Sequence, residues 1–128
     1  MANVEAEFYN LMTTSATITN QVGTRIYPSV LPQEVVYPAM AYEVIGEGPV
    51  NSFDGYEGLN NISLEIDSFA TSKLAAKQLA DSIRDTMNIA PSFKALFING
   101  RDFAFPMDNR TNKNVYRVTR EYSVWNHE

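Results

Sequence analysis

The chain has no cysteine among its 128 residues and a single histidine. The first absence excludes disulfides, thiolate metal sites and cysteine nucleophiles, and it suits a reducing compartment. The histidine is His127, next to the last residue, where chain ends fray; the reading is a solvated tail residue. A Ser-His-Asp arrangement and a histidine-based metal site therefore have nothing to be built from. No apolar run approaches the roughly 18 residues that span a bilayer. The opening "MANVEAEFYN" is acidic, without a basic start or an apolar run, so no secretory leader is expected and a soluble intracellular protein is. Neither a G-x-x-x-x-G-K-[ST] loop nor a G-x-G-x-x-G turn occurs, and no cofactor is expected.

Basic residues are scarce in the first half. Residues 1–70 hold one, Arg25, against nine acidic, whereas residues 71–128 hold nine basic against six acidic. A net charge of −5 argues against a grip on a phosphate backbone. The asymmetry has two readings: oppositely charged surfaces that steer copies head to tail, or, if both halves interleave in one sheet, a mixed surface.

What is present is a globular composition, 45% apolar and 20% charged, of a length that fits one domain spanning residues 1–128. Val4, Phe8, Leu11 and Met12 recur at helical spacing and predict a helix over residues 3–13. "TTSATITNQVG" has room for one more helical turn, with Gly23 as its stop. "TRIYPSVLPQEVVYP" carries three prolines and reads as a short strand at Arg25 to Tyr27 followed by an extended connector. In "AMAYEVI", Met40, Tyr42 and Val44 alternate with Ala39, Ala41 and Glu43, as in a strand. "NISLEIDSF" alternates most cleanly, with Ile62, Leu64 and Ile66 opposite Ser63, Glu65 and Asp67. Thr71 or Ser72 can cap a helix whose apolar face is Ala76, Leu79, Ala80, Ile83 and Met87, with Lys77 and Asp81 as an i, i+4 pair. "LFINGRDFAFP" is either a tight hairpin at Asn99-Gly100 or a kinked strand. "PMDNRTNKN" reads as a polar loop. In "VYRVTREYSVW", Tyr116, Val118, Tyr122 and Val124 share a face that Arg120 interrupts, so a bulge or a subunit contact is expected there. The sum is an α+β fold: a mostly antiparallel sheet of about four strands with two helices on one face.

Chemistry is thin. Glu65 and Asp67, two apart on the polar face of a strand, are the one carboxylate pair that could work as acid and base, and far more often such a pair lines a solvated or interface surface. "PVNSFDGYEG", residues 49–58, has no ligand chemistry but carries Phe53 and Tyr56. Aromatics on a loop make good interface anchors, since they bury much area for few rotatable bonds. Phe53, Asp54, Tyr56 and Glu57 are read as an arm to a neighbouring subunit or partner; the competing reading tucks Phe53 into its own core. Arg110 and Lys113 mark a second candidate contact, against a plain solvated hairpin tip.

The order of these pieces resembles the tail-completion, or tail-terminator, proteins of long-tailed bacteriophages and prophages: "GTRIYP", then "LP" at Leu31-Pro32, "YPAMAY", the loop "SFDGYEGL" into "ISLEIDSFA", the helix "AAKQLADSIRDTM" and the closing "VYRVTREYSVW". The resemblance runs over roughly residues 4–125. It implies a virion structural protein, not an enzyme: a ring, usually of six copies, seated on the tail tube at the head–tail junction, ending tube polymerisation and meeting the head's connector. DNA would pass through the lumen without specific binding, and assembly would take place in the host cytoplasm. Within that reading Glu65 and Asp67 are candidates to line the lumen, and Arg120 joins Arg110 and Lys113 as a candidate contact. A head–tail adaptor, a minor tail protein of similar fold and a monomeric protein-binding module are the alternatives.

Overall fold

The computed structural model describes the backbone of residues 4–52, 55–89, 94–108 and 113–127, and the side chains of 4–46, 62–89, 100–102 and 114–124. Three helices, α1 (Val4–Thr14), α2 (Ala16–Val22) and α3 (Lys73–Ile89), accompany five strands: β1 (Ile26–Pro28), β2 (Ala39–Ser52), β3 (Gly55–Ala70), β4 (Lys94–Asp108) and β5 (Lys113–His127). The strands form one sheet in the order β1-β2-β3-β5-β4. The α+β class stands, with one strand and one helix more than the sequence predicts.

The additions have local causes. The expected extra helical turn is a seven-residue helix, α2, which stops at Gly23 with φ 59° and ψ −121°, a backbone region that side chains rarely adopt. The short strand pairs parallel with β2, Ile26 opposite Met40, so the sheet is mixed. Arg25 fastens the proline-rich connector by donating from Nε to the Pro38 carbonyl at 2.9 Å, ahead of which the Tyr37–Pro38 peptide bond is cis.

All three helices pack on one face of the sheet. Phe8, Met12, Ile18 and Val22 from α1 and α2 join Leu79, Ile83 and Met87 of α3 over Met40, Tyr42, Leu64, Ile66, Tyr122 and Val124. Phe8 lies against Tyr42 with ring centroids 5.1 Å apart and planes tilted by 53°. Ser72 caps α3, its hydroxyl oxygen accepting the Ala75 N–H at 3.1 Å.

One open alternative is decided and two expectations are corrected. "LFINGRDFAFP" is the kinked strand and not a hairpin: β4 runs through Asn99 and Gly100, with the register against β5 shifting between Phe97 and Asn99. Lys77 pairs across to Asp102 of β4 at 3.1 Å rather than with Asp81, which is engaged by Arg84 and Arg120. Neither stretch read as a loop is one throughout. β2 and β3 stay paired up to Ser52 opposite Gly55, and β4 and β5 up to Asp108 opposite Lys113. These hairpin ends point opposite ways. The β3–β5 pairing stops at Leu59 opposite His127 at one end and at Ala70 opposite Tyr116 at the other, so each hairpin continues past it as a two-stranded arm. Among the described residues no helix is long and apolar enough to cross a membrane.

Candidate functional site

The face of the sheet turned away from the helices carries the carboxylates that the sequence singles out. Alternation in β3 sends Ile62, Leu64, Ile66 and Ser68 under the helices, where they are buried, and leaves Ser63, Glu65 and Asp67 half-buried on the other side. Register then adds what one strand cannot show. Glu65 stands directly opposite Glu43 of β2 and directly opposite Glu121 of β5, so three glutamates form a row across the sheet. Two residues along, on the same face, Asp67 accepts the Thr119 hydroxyl at 2.6 Å.

Partial burial raises the pKa of Glu65 above its ordinary value. The negative charge of Asp67 adds to this, Arg117 opposes it, and Glu43 and Glu121 raise it further. Like charges directly opposite on paired strands repel. Such a row costs stability and gives the surface a concentrated negative field. Among the described residues no group of carboxylates and histidine could hold a metal ion.

The other candidates scatter. Arg120 lies on the helix-covered face, in register with Ile66, and its guanidinium meets Asp81 of α3 at 2.8 Å. The β3–β5 register is continuous there, and the irregularity beside it lies in β4, between Phe97 and Asn99 opposite Tyr122 and Glu121. Tyr56 and Glu57 belong to the arm of β3, Tyr56 opposite Asn51, and Lys113 opens β5 opposite Asp108. Phe53, Asp54 and Arg110 lie outside the described residues. Glu43 and Glu121 are what the sequence reading missed. Each occupies the polar phase of its strand, which was legible, but their meeting at Glu65 depends on pairing between distant segments.

The profile of the family described as Tail completion protein gp17 matches residues 6–127. The chain belongs to that family. As a tail completion protein it is a structural component of a phage tail and not an enzyme. No curated protein matches it in sequence. Among solved structures it is similar to a chain of the "Virion of native gene transfer agent (GTA) particle", with TM-score 0.62 and 12% identity over 93% of this chain and 92% of that one. At that identity the likeness bears on the fold, and a tail completion protein with this sheet and these helices has a counterpart of nearly equal extent.

Proposed function

We propose that this tail completion protein is a tail terminator: a single domain, residues 1–128, that forms a ring, six copies in the reading, on the head-proximal end of the tail tube. There it ends tube polymerisation and presents a surface to the head's connector at the head–tail junction of the virion, after assembly in the host cytoplasm. The observation that carries this reading is the match of almost the entire chain to a family of tail completion proteins.

The geometry supports it. A ring through which DNA moves should not hold the duplex, and the row Glu43, Glu65 and Glu121 with Asp67 makes one face of the sheet repel phosphate. That face is assigned to the lumen, with the helices outside. The arm carrying Phe53, Asp54, Tyr56 and Glu57 and the opposite hairpin carrying Arg110 and Lys113 are assigned to contacts with neighbouring subunits or the tube. Arg120 has its charge matched inside the chain by Asp81, which leaves it the least suited of the candidates to such a contact.

The test is to add the purified chain to polymerising tail tube protein. The expected result is a cap at one tube end, arrested growth there, and a closed oligomer of the chain in native mass spectrometry. The double variant Phe53→Ala, Tyr56→Ala should weaken capping. Tubes that grow unchecked, with the chain bound only to the connector, would move the assignment to a head–tail adaptor.

A further inference from the structure

We infer that copies of this chain join edge to edge through their sheets, the free part of β2 in one copy adding as an antiparallel strand to β4 of the next. This deepens the ring reading above and rests on it.

Both outer edges of the sheet are open among the described residues. β4 is the last strand on one side, 15 residues long with no partner on its outer edge. On the other side β1 covers β2 only from Met40 to Tyr42, and residues 43–52 of β2 have no strand beyond them. Unpaired edges of that length are templates for pairing with another chain, and soluble proteins usually shorten or cover them. Pro49 and Pro106 each remove one donor from these edges, a gap that edge strands tolerate.

The directions fit a rotational copy. β2, β3, β5 and β4 are each antiparallel to the next, so β2 and β4 run opposite ways. When a neighbour is generated by rotation about an axis along the strands, its β2 arrives beside β4 running against it. The alternation passes from copy to copy without a break. Because the two edges differ, the contact is heterologous, the kind that closes into rings. The hairpin arms at opposite ends give the sheet the stagger that strands tilted in a closed barrel require.

Charge agrees. The sheet does not interleave the two halves of the chain: β1, β2 and β3 come from residues 1–70, and β5 and β4 from residues 71–128. The half with nine acidic residues and one basic therefore ends at the β2 edge, and the half with nine basic and six acidic ends at the β4 edge. Copies meeting β2 to β4 bring unlike halves together.

The test exploits the absence of cysteine. Ile45→Cys, exposed on β2, is combined in turn with Ala95→Cys, Leu96→Cys, Phe97→Cys, Asn99→Cys, Gly100→Cys and Arg101→Cys on β4, and each pair is oxidised with the chain alone and with tail tubes. The expected result is a ladder of disulfide-linked multimers, several-fold stronger at alternate β4 positions because successive residues face opposite ways, and absent from each single-cysteine variant. A closed oligomer by native mass spectrometry with no β4 position linking to residue 45 would overturn the edge pairing and leave the ring standing. A chain that remains monomeric both alone and with tubes would overturn both.

Discussion

Arg120 reaches from β5 to Asp81 of α3, its Nη1 2.8 Å from Oδ1, and so fastens the helix to the sheet between the buried Val118 and Tyr122. Only 17% of the Arg120 side chain is exposed, whereas the Lys77–Asp102 pair nearby is 47% and 39% exposed. Arg120→Ala should cost about 1–2 kcal/mol, since it removes the aliphatic stem as well as the charge. Lys77→Ala should cost less than about 0.5 kcal/mol and lose even that at high salt. Urea denaturation at two ionic strengths measures both.

Glu65→Gln should stabilise the fold at neutral pH. The folded-state pKa of Glu65 is raised by burial and by Asp67, so the folded chain binds its proton more tightly than the unfolded chain does. Stability from that group is therefore full below the unfolded pKa and is lost as pH rises through the folded one. At pH 7 the glutamine variant should melt about 1–4 °C higher, the scale of one like-charged cross-strand contact. The gain should shrink to nothing as pH falls through the carboxylate range. Thermal melts from pH 3 to 8 check it; a gain that does not depend on pH would contradict it.

Phe8→Ala should cost about 3–5 kcal/mol, because Phe8 is fully buried against Tyr42 and its loss opens a cavity beneath α1. Phe8→Leu fills most of that space and should cost markedly less. Chemical denaturation distinguishes them, and equal effects would mean that α1 contributes little to the core.

Gly23→Ala should cost about 1–3 kcal/mol through backbone strain alone, as a Cβ there meets nothing nearer than Arg25 Nη1 at 3.7 Å. Gly46→Ala is the control. A Cβ at Gly46 has open space and no positive φ, and stability should change by less than about 0.5 kcal/mol.

The legible parts of this fold were those set by local period. The faces of β3 and α3 follow from alternation and from helical spacing: Ile62, Leu64 and Ile66, and Ala76, Leu79, Ala80, Ile83 and Met87, are all buried. The arms were illegible because Gly48, Pro49 and Gly55 favour turns locally, while pairing between strands holds them extended. β1, three residues long, was legible as a short strand, and only its parallel pairing with β2 was not, since no local pattern specifies a distant partner. The same holds at the site. Glu65 and Asp67 were visible as a pair, but Glu43 and Glu121 join them only through register, in which a slip of one residue would turn each to the other face. Lys77 had a helical partner within reach in Asp81, yet Arg120 holds that carboxylate and Asp102 takes the lysine.

Because every helix lies on one side of the sheet, cohesion and surface charge sit in different sets of residues. Along β3 the two sets alternate: Leu64 and Ile66 hold the layers together, and Glu65 and Asp67 between them hold nothing from the helices. The sign and density of charge on the open side can therefore drift over generations, or be redesigned, at a cost of about 1 kcal/mol per position or less. The open face is thus free to change its charge without altering how the chain folds.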